Sequence, residues 1–212
     1  MSVPKVKICG MKHNISEVAD LSPEYLGFIF YSASPRDFSG EIPNLPDDIK
    51  KVGVFVDADI EALVQIVLRY DIDIIQLHGE ESTEYCEQLH LALDSEISSP
   101  MDIWKVFHVR DSFDFTKLKG YESKVAAFLF DTKGKDPGGN GYTFDWEVLR
   151  DYNSETPIVL SGGIGLEELR SIKKIMKTGL PIMAVDVNSR FELAPGNKDI
   201  IKLKKFIHEL SC

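Results

Sequence analysis

Residues with reactive side chains recur where an apolar run meets a turn. Cys9 ends "KVKICG", His78 closes "IIQLHG", Asp131 follows "AAFLF", and Asp186 lies in "MAVDVNS". A cysteine in front of Gly10 is either a small buried hydrophobe or a reactive thiol with room beside it. Asp131 is either a loop cap or the acid of a site, and the glycines that follow it leave space around the carboxylate. His78 is fit for acid–base work, or sits satisfied at a rim. Arg36, in "SASPRDF", is a surface cation or the bidentate partner of a substrate carboxylate. "SGGIG" brings Gly162 and Gly163 to the start of a helical pattern, where backbone N–H groups can cradle a phosphate. No histidine–carboxylate set has metal-ligand spacing. His13, His90, His108 and His208 read as helix, strand-exterior or terminal residues.

These residues need a scaffold that gathers chain segments far apart in sequence. Eight β-rich runs serve: "KVKICG", "YLGFIF", "KVGVFVD", "IDIIQLHG", "DIWKVFHV", "KVAAFLFDT", "PIVLSGGI" and "PIMAVDVNS". Between them, "IEALVQIVLRYD", "STEYCEQLHLAL", "TFDWEVLRDY", "LEELRSIKKIMKTG" and "NKDIIKLKKFIHEL" carry apolar residues at helical spacing. The prolines of "SGEIPNLPDDI" leave room for at most a short helix there. Alternating strands and helices mean parallel pairing through crossovers. An open doubly wound sheet and a closed barrel both satisfy this; eight units in 212 residues favour a (β/α)₈ barrel, a single α/β domain over residues 1–212. In such a barrel the strand C-termini form the site. The loops after strands seven and eight form its phosphate pocket, which adds Asn188 and Ser189 to Gly162 and Gly163. Side-chain alternation puts Lys7 with Cys9 on the inner face, Ala127 and Leu129 with Asp131, and Ala184 with Asp186. Lys7 is read as paired within the barrel, and "GKDPGGNGYTFDW" as a loop able to close over a ligand.

Composition narrows the classes further. The formal net charge is -10 and no basic cluster precedes the last helix, which disfavours nucleic acid as a partner. No apolar run reaches spanning length and the N-terminus lacks a signal stretch, so no membrane role is expected. The three cysteines, Cys9, Cys86 and Cys212, have scattered spacings and fit a reducing, cytoplasmic setting. The start at "MSVPK" and the end at "ELSC" suggest a free-standing protein. Monomer and homodimer remain open.

Seven segments taken in order, "KICGMK", "GFIFYSASPR", "VGVFVD", "IQLHGEE", "FDTKGKDPGGNGYTFDW", "SGGI" and "VDVNSRFELAPGNKD", resemble the phosphoribosylanthranilate isomerases of tryptophan biosynthesis over essentially the whole chain. The resemblance implies an Amadori rearrangement of a small phosphosugar substrate, without cofactor or metal. It implies Cys9 as general base, Asp131 as general acid, and Arg36 on the anthranilate carboxylate. Gly162, Gly163 and the loop with Asn188 and Ser189 would hold the phosphate, and Asp186 and His78 would contact the substrate. The chemistry asks for a protonated Asp131 and a Cys9 thiolate, the reverse of their ordinary states at neutral pH. Lys7 is one source of positive potential for the thiolate. Asn140 stands where the family usually has threonine, and Arg190 where it usually has glycine. Arg190 is read as covering the rim. Histidine-pathway and dual-substrate isomerases would carry aspartate at position 9, a metal-dependent epimerase would need inward histidine ligands, and a non-catalytic phosphate-binding barrel would have no need of Cys9, Asp131 and Arg36 together.

Overall fold

Eight parallel strands close into a barrel in the computed structural model of the protein, which describes residues 3–97, 99–110, 112–132 and 146–212. The strands are β1 (Lys5–Ile8), β2 (Tyr25–Phe30), β3 (Lys50–Phe55), β4 (Ile74–Leu77), β5 (Asp102–Val109), β6 (Ala127–Thr132), β7 (Ile158–Ser161) and β8 (Ile182–Val187). They pair in chain order, and β8 returns to β1. The alternation expected from sequence separates two apolar layers. Tyr25, Val52, Ile74, Trp104, Val106, Leu129 and Val159 fill the barrel, while Val6, Ile8, Leu26, Phe28, Phe128 and Val185 join the layer under the helices. A barrel plugged this way is a packed core, so a ligand can enter only above the last inward layer.

The crossovers are uneven. Helices α1 (Ile15–Ala19), α2 (Ile60–Tyr70), α3 (Thr83–Glu96), α4 (Leu169–Ile175) and α5 (Ile200–Ser211) cover the barrel. Asp59, Ser82 and Asp199 cap α2, α3 and α5 by accepting from the backbone N–H of Ala62, Tyr85 and Lys202. The second connection has no helix, as its prolines imply. The fifth has only a 3₁₀ turn over Phe115–Leu118. The described part of the sixth holds a 3₁₀ turn over Trp146–Asp151, within the stretch read as helical, while residues 133–145, with the start of that stretch and the glycine-rich segment with Asn140, lie outside the described residues. The seventh is α4 flanked by 3₁₀ turns, halted at Gly179. After β8 comes a hairpin not foreseen from sequence, β9 (Glu192–Ala194) with β10 (Asn197–Lys198), joined through Pro195 and Gly196. Among the described residues no helix is long and apolar enough to cross a membrane.

Candidate active site

The strand C-termini surround a cavity of about 500 Å³. Of the residues singled out from sequence, Cys9, His78, Asp131, Gly162, Gly163, Asp186, Asn188 and Ser189 all line it. Arg190 also contributes to its wall while exposed to solvent, so it covers the rim of the site itself. Arg36 does not line the cavity; it stands behind Gly10, next to Asn188.

The base side of the cavity is built on β1, β2 and β8. Register places Lys7 beside Asp186, and Lys7 Nζ donates to Asp186 Oδ1 at 2.8 Å. Ser161 Oγ donates to the other carboxylate oxygen at 3.0 Å. Lys7 is wholly buried, as a lysine can be only with a partner. The expected pairing of Lys7 within the barrel is therefore observed. Gly27 makes room for this pair and for the thiol. A Cβ there would lie 2.9 Å from Cys9 Sγ and 3.1 Å from Lys7 Nζ, closer than real side chains approach. Burial pushes the Cys9 thiol up; Lys7 pulls it down, Asp186 pushes it up again, and Lys198 pulls it down, with a net rise. Lys7 thus does not suffice to make a thiolate in the resting protein, because burial outweighs its pull and Asp186 answers part of its charge.

Behind Gly10 lies a second ionic group that sequence reasoning missed. Glu192, at the start of the unforeseen hairpin, accepts from Arg36 Nε at 2.9 and 3.0 Å and from Lys198 Nζ at 2.8 Å. Lys198 also donates to Asn188 Oδ1 at 2.9 Å, which ties the hairpin to the phosphate-side loop. Burial opposes the Glu192 charge, but the hydrogen bonds from Arg36 and Lys198 win and hold its carboxyl down at about 2. The same hydrogen bond from Glu192 raises the Arg36 guanidinium.

The acid side is built on β4, β5 and β6. Register sets His108 directly beside Asp131. His108 therefore faces the cavity, correcting its reading as a strand-exterior residue. His108 Nδ1 lies 3.4 Å and His78 Nε2 3.6 Å from the same oxygen, Asp131 Oδ2. Burial would raise the Asp131 carboxyl, yet the polar contacts and charge of His108 and His78 outweigh it and hold the group below the usual carboxylate range. Asp131 rests as a carboxylate. The ligand atoms of His78, His108 and Asp131 lie within 4.8 Å of one another, closer than the sequence spacing suggested. Gln76 Nε2 lies 3.0 Å from His78 Nδ1, and among the described residues Gln76 Oε1 is buried without a partner.

On the phosphate side, Gly162 and Gly163 adopt φ of 94° and 62°, a conformation that suits glycine and turns the backbone toward the cavity. A Cβ on Gly163 would meet nothing within 4 Å. The N–H of Gly165 is taken by Glu168 Oε2 at 2.6 Å, so one of the expected helix-start donors is used within the chain. Asp57, another strand end, accepts from Glu80 N at 2.7 Å and fastens the loops after β3 and β4, away from the cavity.

Comparison with known proteins places this geometry. The family model for N-(5'-phosphoribosyl)anthranilate isomerase matches residues 6–209. The protein of that name from Parabacteroides distasonis is 41% identical to this chain, covering 97% of it and 92% of the relative. The crystal structure of phosphoribosyl anthranilate isomerase from Thermotoga maritima superposes with a TM-score of 0.77 at 29% identity, covering 98% of each chain. A structure of the same enzyme in complex with reduced 1-(o-carboxyphenylamino)-1-deoxyribulose 5-phosphate superposes with a TM-score of 0.74 at 27% identity, again over 98% of each chain.

Proposed function

The chain belongs to the N-(5'-phosphoribosyl)anthranilate isomerase family, and on that premise we propose that the mouth of its barrel carries out the Amadori rearrangement by general acid–base catalysis, with Asp131 as acid and Cys9 as base. It is an isomerase of tryptophan biosynthesis. The observation that carries the mechanistic reading is the placement of Cys9 and Asp131, from β1 and β6, in the wall of one cavity large enough for a phosphosugar bearing an aromatic ring. Asp131 gives a proton to the furanose ring oxygen as the ring C–O bond breaks, leaving a Schiff base. Cys9 takes the proton from the adjacent sugar carbon, and the enolamine tautomerises to the ketone. The proton count of the resting site already suits this. A Cys9 thiol with an Asp131 carboxylate holds as many protons as a Cys9 thiolate with an Asp131 acid, so the active form is a tautomer of the resting one. The turn of Gly162 and Gly163, with Asn188 and Ser189 opposite, takes the phosphate, and Asp186 and His78 contact the rest of the substrate. A reducing, cytoplasmic setting fits three cysteines that form no disulfide.

The activity is tested with freshly generated phosphoribosylanthranilate, whose anthranilate fluorescence disappears on rearrangement. The purified chain should consume it catalytically; a rate equal to that of buffer would dismiss the reading.

Arg36 is assigned the anthranilate carboxylate. Glu192 engages the Nε and Nη2 side of the guanidinium. The substrate would then be met by the end that carries Nη1. Arg36→Ala should weaken binding of the reduced product analogue by about 2–5 kcal/mol if the pair is dry in the complex, and Arg36→Lys should recover only part of it, since an ammonium lacks the fork. Calorimetry showing unchanged affinity in both variants would leave Arg36 as a brace for Glu192.

A further inference from the structure

We infer that His108 is the proton-holding partner of Asp131: the acid of the site is the His108–Asp131 pair, with the proton collected on His108 and passed to Asp131 for delivery. This rests on the reading of Asp131 as the acid and deepens it.

Geometry carries the assignment. His108 and Asp131 are register neighbours on β5 and β6, and Nδ1 of the imidazole is 3.4 Å from Asp131 Oδ2. Hydrogen bonds at catalytic sites are often this long before the substrate closes them. His78 faces the same oxygen from 3.6 Å, with its Nδ1 against the Gln76 amide. His108 is the nearer of the two imidazoles to Asp131 Oδ2, and its side chain is 32% exposed, open to proton exchange with solvent. It lies where the catalytic cavity meets a neighbouring one. From β4 it faces His78, from β6 Asp131, and Glu80, Glu81, Lys105 and Lys117 border the neighbouring cavity with it. Glu81 and Lys105 neutralise each other at 3.0 Å.

The pair answers a problem that the resting site poses. Asp131 among two imidazoles is a poor holder of the proton it must deliver. An ordinary imidazole holds a proton about two to three pH units better than an ordinary aspartate. Placing the proton on the pair therefore increases the population of the active tautomer by roughly 10²-fold over a lone carboxyl. The steps balance. The Nδ1–H bond breaks as an O–H bond forms on Asp131, and that O–H breaks as the ring oxygen is protonated and its C–O bond cleaves. The cycle starts from the tautomer in which the Cys9 proton has moved to His108 and left a thiolate; at its end His108 is neutral and Cys9 carries the carbon-bound proton, which is the resting state again.

The test is His108→Asn, which keeps an N–H donor close to the position of Nδ1 but holds no extra proton. We expect kcat to fall by roughly 10²-fold, with KM and the affinity for the reduced product analogue within a few-fold of wild type. The alkaline limb of the kcat profile should move to lower pH. His108→Ala should regain activity in added imidazole, in proportion to the imidazolium fraction. A His108→Asn variant with kcat within twofold of wild type and an unmoved alkaline limb overturns the inference. So does a His108→Ala variant that folds by circular dichroism yet ignores imidazole. Asp131→Asn, run in parallel, separates the two claims. If it is inactive while His108→Asn is normal, only the role of His108 falls; if it is active, the acid assignment itself falls.

Discussion

Cys9→Ala folds as the wild type does and loses turnover by ~10²–10⁴-fold, the range a general base typically contributes. The substitution removes only a sulfur from a site bounded by Gly27 and Lys7, and the Lys7–Asp186 pair persists without it. The thermal midpoint should therefore move far less than it would if the ion pair were broken, since stranding one buried charge costs about 3–5 kcal/mol. Cys9→Ser should be nearly as inactive, because a hydroxyl is a far weaker acid than a thiol and yields no base at neutral pH. Alkylation gives a second readout. Burial pushes the Cys9 thiol up, so iodoacetamide should react slowly at neutral pH and faster as pH rises through the thiol range, with the reduced product analogue protecting. Cys86 is buried and Cys212 exposed, so Cys212 would label first and must be replaced before the rate is read. A Cys9→Ala enzyme that keeps more than about a tenth of wild-type turnover would reduce Cys9 to packing, against the range expected of a base.

The raised thiol changes the pH behaviour that sequence chemistry alone suggests. If Cys9 were a resting thiolate, acid would inactivate the enzyme by protonating it. With the Cys9 thiol pushed up and the Asp131 carboxyl held down, there is no resting thiolate for acid to protonate. Neither sign can be read from residue types. Both depend on how much water the fold removes from the thiol, and on which cations it then brings near.

Much of the barrel was legible because strand side chains alternate with a strict period. That period alone placed Lys7 with Cys9 inside, and Asp131 above Ala127 and Leu129, and the structure keeps both placements. The same rule failed on β5. In "IWKVFHV" both faces are apolar, with Trp104 and Val106 inward and Ile103 and Phe107 outward, so the inward side of His108 could not be told from composition. Only the pairing of β5 with β6 reveals it, and pairing is a long-range property. Arg36 and Glu192 are 156 residues apart and meet through a hairpin too short to announce itself. The 3₁₀ turn after β5 was missed for a related reason: a barrel needs a crossover only to cover its strand, and a 3₁₀ turn with aromatic cover can do so. Phe113, Phe115 and Tyr152 pack edge-on around Phe130 there.

Asp131→Asn should be as damaging as the loss of Cys9, and for a complementary reason. The amide keeps the size of the carboxyl and can still accept from His108 and His78 through its oxygen, so the cluster need not collapse. It cannot hand a proton to the ring oxygen, and the ring does not open. Turnover should fall by ~10²–10⁴-fold, while the reduced product analogue, which needs no ring opening, binds with nearly wild-type affinity. The variant also removes the negative charge that balances the two imidazoles. In the wild type that carboxylate is held below the usual carboxylate range by the hydrogen bonds and charge of His108 and His78. A group depressed on folding contributes stability that is present above its unfolded value and lost as pH falls through the folded one. Wild type should therefore be more stable than Asp131→Asn in mildly acidic solution, where the imidazoles are charged. The difference should narrow toward alkaline pH as they become neutral, and again in strong acid as Asp131 is protonated. Denaturant titrations across pH would show this, and a stability difference independent of pH would mean that the imidazoles and Asp131 are neighbours without electrostatic coupling.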